Sequence, residues 1–171
     1  VMTFLPVYLR EDLEFSAARV AIYISLSQGI GVGVQPVMGF VSDRFGRKIA
    51  LVPALICMGL LFIFLAYADT GSEIFFVIIA MGAFSYSVHA IYIAAAIDVS
   101  GGEVQSTVVS IIYGASFLGT FSPVLGGMIS DSYGIPIAFL FSGSLVLLSA
   151  FTLFLVKMPD RYVYDAGEPK H

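Results

Sequence analysis

The chain alternates long apolar runs with short polar connectors. Five runs are long enough to cross a membrane, because a helix that spans the hydrocarbon core needs about 20 apolar residues. They cover residues 20–42, 49–68, 74–97, 106–130 and 136–157. A shorter apolar stretch, 1–8, predicts part of a further span. No run has the strict alternation of polar and apolar residues that is typical of a membrane β-strand. The pattern predicts an all-α integral membrane protein, a multi-pass helical bundle.

The connectors between these runs are short, at 9–19, 43–48, 69–73, 98–105 and 131–135. Short connectors make consecutive helices antiparallel neighbours and leave no room for a soluble domain. We therefore expect one transmembrane domain over 1–157 and a polar tail over 158–171. Because the first apolar stretch is too short to span, we expect the sequence to be part of a longer protein.

The composition agrees with lipid as the solvent for most of the chain. Of its residues, 58% are hydrophobic and 12% are charged, whereas a soluble domain has about 25% charged residues. No basic stretch points to nucleic acid, and the single cysteine, Cys57, excludes an internal disulfide. We expect the lipid bilayer as the surroundings, with no cofactor and no bound metal.

The basic residues are concentrated on one side of the predicted bundle. Alternate connectors lie on the same side of the membrane, which divides them into two sets. One set contains the connectors 43–48 and 98–105 and the end of the chain. The first set carries Arg44, Arg47, Lys48, Lys157, Arg161 and Lys170, whereas the other carries Arg10 and Arg19. Cytoplasmic loops carry the excess of Lys and Arg. We therefore expect a multi-pass protein of the cell membrane with the first set of loops in the cytoplasm.

A short internal repeat surrounds two of the connectors. The segment GFVSDRFGRKI (39–49) aligns without gaps on GMISDSYGIPI (127–137), and the three basic residues have no basic counterpart in the second copy. The two copies are separated by three spans, so they face opposite sides of the membrane. Three-helix repeats with inverted topology are a design found in carriers, although similar helix ends alone also explain so short a match.

The charged connector fits a known signature. Its spacing resembles the cytoplasmic signature of the major facilitator superfamily, G-x-x-x-D-R-x-G-R-K. It is carried here by Gly39, Asp43, Arg44, Gly46, Arg47 and Lys48. The resemblance implies one half of a twelve-helix carrier that moves a small solute by alternating access. The short polar tail, and the absence of an intramembrane Arg from 74–97, favour the carboxy-terminal half, helices seven to twelve with the seventh truncated.

That resemblance also implies partners and a role for the charged connector. The partners are the missing amino-terminal six-helix half and a small-molecule substrate, with H⁺ or Na⁺ as a coupling ion. Gly46 permits a tight turn, Gly39 lets a neighbouring backbone approach, and Asp43 can pair with Arg47. By resemblance, Asp43 latches the two halves; the alternative is a topology anchor with solvated charges. Asp98 and Glu103 are interpreted as solvated.

Two apolar runs contain residues that bend helices or let them pack closely. They are Gly29, Gly33 and Pro36 in 20–42, and Gly119, Pro123, Gly126 and Gly127 in 106–130. Small residues at four-residue spacing allow close contact, and proline frees a carbonyl and kinks a helix. The two runs hold equivalent places in the repeat, which favours bending helices over static packing.

Few polar side chains are predicted at membrane depth. His89 lies about 13 Å from the helix end at Asp98, at 1.5 Å per residue. Ionisable groups in lipid indicate a pathway, so we expect a cavity lined by Gln28, Tyr86, His89, Tyr92 and Tyr113. The alternative is a neutral His89 that bonds to a neighbouring Ser or Tyr.

Three other functions are considered. HAIYIAAAIDV (89–99) loosely resembles drug-export members of the same superfamily, which suggests multidrug or antibiotic efflux. An integral membrane enzyme is not expected, because neither H-E-x-x-H nor G-x-S-x-G occurs. A non-transporting six-helix scaffold remains open.

Overall fold

The computed structural model describes residues 3–68, 72–100 and 105–156. These residues form seven helices and no strand. The helices are α1 (Leu5–Glu11), α2 (Ala17–Phe45), α3 (Arg47–Leu65), α4 (Ser72–Ser100), α5 (Gln105–Gly119), α6 (Ser122–Tyr133) and α7 (Ile135–Leu155). The predicted tail, together with Glu103 and Lys157, lies outside the described residues.

Five helical segments are long and apolar enough to cross a membrane. They are Ala17–Phe45, Arg47–Leu65, Ser72–Asp98, Val109–Tyr133 and Ile135–Leu155, each of which overlaps one of the predicted runs. The partial first span forms the seven-residue α1, which is buried through Leu5, Tyr8 and Leu9. The prediction of an all-α membrane bundle is confirmed.

Glycines form both tight turns between consecutive antiparallel helices. Gly46 separates α2 from α3 at φ +105° and ψ 149°, and Gly134 separates α6 from α7 at φ +89° and ψ 157°. This backbone region is essentially restricted to glycine. Each glycine N–H donates to a serine carbonyl four residues earlier, at 3.0 Å to Ser42 and 2.8 Å to Ser130. The aligned positions of the sequence repeat therefore share one local structure.

One predicted span is not a single helix. The run 106–130 is divided into α5 and α6 by a break at Thr120 and Phe121. Pro123 occupies the second position of α6 and has no N–H to continue the hydrogen bonding of α5. Directly before the break, the Thr120 hydroxyl donates to the Phe117 carbonyl at 2.6 Å. Pro123 was expected to bend a continuous helix, whereas the structure has a break just before it.

The closest helix pairs are α2 with α4 and α3 with α7. The Ser27 hydroxyl donates to the Ile78 carbonyl at 2.8 Å, and Gly31 meets Gly82 one turn farther along both helices, so α2 and α4 run in the same direction. Gly59 packs against Gly143, and Lys48 meets Val156, so α3 and α7 are antiparallel. The turn at Gly46 and the turn at Gly134 therefore lie at opposite ends of the bundle, as the inverted repeat predicts.

The contacts of α2 with α4 and of α3 with α7 depend on glycines that were not predicted as packing positions. A Cβ atom added to Gly31 would lie 2.6 Å from the Gly82 carbonyl oxygen, and one added to Gly59 would lie 2.7 Å from Leu147. These contacts need glycine, because no larger residue fits without movement of a neighbouring helix.

The predicted packing positions behave differently from one another. A Cβ atom on Gly29, Gly33, Gly39 or Gly119 would meet no atom within 4 Å in the described part of the chain, so close packing at these positions stays a prediction. A Cβ atom added to Gly126 would lie 2.8 Å from the ring of Phe4, which is too close, whereas one added to Gly127 would lie 3.8 Å from it, at an ordinary contact distance. Pro36 lies inside the continuous helix α2.

Candidate functional site

Arg47 is the centre of the charged turn, which we define as residues 43–48. It begins α3, directly after the glycine that ends α2. Its Nη1 atom donates to the Asp43 carboxylate, one helical turn earlier across Gly46, as the sequence predicted. The same nitrogen donates at 3.1 Å to the hydroxyl of Ser42, a side chain that is only 1% exposed. Arg47 is therefore held against the end of α2.

A second carboxylate reaches Arg47 from another helix. The Nε atom of Arg47 donates at 2.7 Å to Oδ2 of Asp98, near the end of α4. The interpretation of Asp98 as a solvated group is therefore incomplete: its side chain is 47% exposed, but it forms an ion pair. One guanidinium thus connects the ends of α2, α3 and α4.

Lys48 makes a further connection at the same end of the bundle. Its Nζ atom donates at 2.8 Å to the carbonyl oxygen of Val156 and lies 5.4 Å from the centre of the Phe154 ring. Val156 follows the last residue of α7, and cations are favourable near a helix C-terminus. Lys48 therefore joins α3 to α7.

Arg44 differs from its two basic neighbours. It is exposed and lies over the ring of Phe45, with 5.8 Å between Cζ and the ring centre. No carboxylate of the described residues lies within ion-pair distance of it. Gly39, the remaining signature position, has open space around it.

Two of the five predicted cavity residues line a cavity between α1, α2 and α4. Its volume is about 170 Å³, and its wall contains Gln28 and Tyr86 together with Ser27 and Ser85. The remainder of its wall is apolar and comes from Leu5, Pro6 and Ile24. The cavity can therefore hold a small, weakly polar group.

The other three predicted residues do not line this cavity. His89 of α4 is exposed, and its ring meets that of Tyr113 of α5 edge-on, with 6.2 Å between the ring centres. Tyr92 packs against the apolar cluster around Leu51 and Ile91. The predicted set is therefore divided among a cavity, an exposed ring pair and the core.

A second cavity, of about 130 Å³, lies beside the helix break. It is formed by the start of the described chain, α6 and α7, and its wall includes Phe4, Pro123, Gly126, Phe139 and Ser142. Sequence analysis identified Pro123 and Gly126, but only as packing or bending residues. Phe4 was missed, because nothing in an eight-residue apolar stretch indicates which helix it meets.

No group of three or more His, Cys, Asp or Glu side chains that could hold a metal occurs in 3–68, 72–100 or 105–156. The arrangement instead offers a charged connection between helix ends, a small cavity and an exposed aromatic face.

Comparisons with known proteins agree with this picture. The family model described as Major Facilitator Superfamily matches residues 1–170. A multi-drug resistance efflux pump PmrA homolog of Lactococcus lactis is 30% identical over 91% of the chain. The multidrug resistance protein MdtG of Proteus mirabilis is 26% identical over 91% of the chain. The chain covers 40% of the length of each.

Similarity over a shorter segment links the chain to another kind of relative. The glycine betaine/proline/ectoine/pipecolic acid transporter OusA of Dickeya dadantii is 42% identical over 59 residues, which is 34% of this chain. No solved structure matches the chain significantly.

Proposed function

Because the chain belongs to the major facilitator superfamily, we propose that it forms the carboxy-terminal half of a secondary transporter that moves a small solute by alternating access. The observation that carries the proposal is the ion-paired turn in which Arg47 connects Asp43 to Asp98. It places the superfamily signature at a junction of three helix ends. The described residues form a multi-pass membrane bundle around it, with the turn on the cytoplasmic side by its excess of basic residues.

We infer that this junction acts as a latch. Alternating access requires two arrangements of the halves, and a contact that exists in only one of them biases the equilibrium. The Asp43 side chain is 65% exposed, so it can reach a group outside this chain while it remains bonded to Arg47. Because Asp98 also pairs with Arg47, opening or closing of the latch would act on α4, the helix that carries His89.

The missing amino-terminal half has a suitable surface on α2. Gly29 and Gly33 are open, and Leu26, Val37 and Phe40 are exposed on the neighbouring part of the same helix. Helices in lipid associate through small residues that let backbones approach closely. The relatives are more than twice as long as the region that aligns, which supplies further chain for this contact.

The exposed aromatic face supports a weakly polar or aromatic substrate. Tyr86, His89 and Tyr113 lie on α4 and α5, where they offer ring faces and few charges. Two relatives are named as multidrug resistance proteins, which favours efflux as the direction. Coupling to H⁺ or Na⁺ is part of the proposal, with His89 as the candidate proton carrier.

The test measures uptake and efflux of labelled solutes and dyes in cells that express the full-length protein. Asp43→Asn is compared with Asp131→Asn, its counterpart in the repeat, which has no ion-pair partner among the described residues. We expect Asp43→Asn to reduce transport severalfold and Asp131→Asn to change it little, at equal expression. His89→Ala tests the exposed His89–Tyr113 ring pair separately.

Either of two results would contradict part of the proposal. If transport survives Asp43→Asn unchanged, the turn is a topology anchor and the latch is rejected. If the wild type moves no solute or dye in either direction, although it is expressed and folded, the scaffold function replaces transport.

A further inference from the structure

The end of the bundle opposite the charged turn contains a row of four aromatic rings. Phe15 meets Tyr23 with 5.8 Å between ring centres, Tyr23 meets Phe75 at 5.0 Å, and Phe75 meets Phe76 at 5.7 Å. Each contact is edge-to-face, the arrangement that aromatic pairs prefer. The row joins the connector before α2 to the second turn of α2 and the beginning of α4.

Arg19 lies on this row in a fixed position. Its Cζ atom is 3.8 Å from the centre of the Phe15 ring, a cation–π contact. Its Nε and Nη2 atoms donate to the Tyr23 hydroxyl at 3.1 and 2.9 Å. Phe15 is itself buried, so the ring beneath the guanidinium cannot move away freely.

The charge and several donors of Arg19 remain unused. A guanidinium has five N–H donors, and two of them bond Tyr23. No carboxylate in the described part of the chain lies within ion-pair distance of Arg19, whereas Arg47 has two. The exposed side of the group therefore presents, in a preorganised geometry, a positive charge that forms no ion pair with the described residues.

The length of α2 matches the separation of the two headgroup layers of a bilayer. Arg19 and Arg44 are 25 residues apart on the continuous helix α2, which corresponds to about 38 Å at 1.5 Å per residue. A bilayer is about 30 Å thick across its hydrocarbon and about 40–45 Å with its headgroups. A helix placed with Arg44 in one headgroup layer therefore has Arg19 in the other.

Exposed rings at the same end support that depth. Tyr67, Phe76 and Tyr133 are between 68% and 74% exposed. Tyr67 follows the end of α3, Phe76 lies near the start of α4, and Tyr133 is the last residue of α6. Tyr and Trp are enriched where a membrane protein meets the headgroups.

We propose that Arg19, held by Phe15 and Tyr23, is a binding site for the phosphodiester group of a membrane phospholipid. Arginine suits this group because its planar donors match phosphate oxygens in pairs. The lipid would lie with its headgroup at Arg19 and its first acyl carbons beside Phe76, which is exposed on α4. The site is separate from the 170 Å³ cavity and does not depend on transport.

Native mass spectrometry of the detergent-purified full-length protein, titrated with phosphatidylglycerol, tests this proposal. We expect Arg19→Gln to weaken binding of the first lipid about tenfold, as for the loss of a charged hydrogen-bonding group. Tyr23→Phe keeps the charge but removes the oxygen that orients it, and we expect a loss of about threefold. Arg10→Gln is the matched control, because Arg10 is an exposed arginine near the same end without an aromatic contact.

Three results would overturn the proposal. If Arg10→Gln weakens binding as much as Arg19→Gln, only general charge attraction is involved. If neither Arg19→Gln nor Tyr23→Phe changes the affinity while the variants remain monodisperse, no site exists there. If excess inorganic phosphate displaces the lipid from the wild type, the group binds free anions rather than a phospholipid.

Discussion

Asp98→Asn is the variant that tests the three-helix junction most directly. The change keeps the size of the side chain but removes the charge that Arg47 meets through Nε at 2.7 Å. Arg47 keeps Asp43, so it does not become an unpaired charge. The variant should therefore fold normally and lose only the connection between the turn and α4.

The expected free-energy change is small but sufficient to measure. The Arg47 side chain is 22% exposed and that of Asp98 is 47% exposed, so solvent screens the pair considerably. Exposed ion pairs contribute about 0.2–1 kcal/mol, and the second carboxylate and the buried Ser42 place this pair near the upper value. If the pair exists in only one transport state, losing about 1 kcal/mol changes the ratio of the two states about fivefold.

A double-mutant cycle separates this pair from other effects. Transport and thermal stability are measured for Asp98→Asn, Arg47→Gln and the double variant, with Arg44→Gln as the control in the same turn. We expect the single changes to be non-additive by about 0.5–1 kcal/mol, and the difference to shrink at high ionic strength. Additivity within experimental error, or an equal effect of Arg44→Gln, would refute the reasoning.

Three further predictions concern the backbone. Gly82→Ala should lower the free energy of unfolding by about 1–3 kcal/mol, because its new methyl group would overlap Ser27. Gly29→Ala is the control, because Gly29 has open space around it. Equal melting temperatures of the two variants would contradict the close contact between α2 and α4. Gly46→Ala should cost about 1–3 kcal/mol, since alanine is strained at φ +105°, and an unchanged melting temperature would show that the turn adopts another conformation. Pro123→Ala restores an N–H and should join α5 to α6; an unchanged rate of transport in that variant would show that the break is not used.

The sequence predicted those features that depend on local composition. The spans follow from hydropathy, the turn follows from a glycine between two apolar runs, and the Asp43–Arg47 pair follows from spacing along the chain. The partner of Arg47 on α4 could not be predicted in this way. Asp98 is 51 residues away, and its position depends on how α4 is placed beside α2.

The packing face of α2 was unpredictable for a different reason. In a soluble helix the contrast between polar and apolar sides identifies the buried face. In lipid both sides are apolar, so Gly29, Gly31 and Gly33 carry the same signal. Only Gly31 lies against α4, beneath Tyr86 and the Gly82 carbonyl. Gly29 and Gly33, which are open, belong to the surface that we propose for contact with another helix.

Comparison of the two repeated turns distinguishes the role of the basic side chains from the conformational requirements of the turn. Gly46 and Gly134 have nearly the same conformation and the same bond to a preceding serine. The Gly134 turn forms without a basic residue, so Arg44, Arg47 and Lys48 are not required to make the turn at Gly46. Orientation in the membrane requires positive charge, which any of the three residues supplies, but it does not require Arg47 to be placed between two carboxylates on two helices. A topology anchor therefore does not account for the position of Arg47 between Asp43 and Asp98. A latch does need a residue in this position, because it must connect different helices.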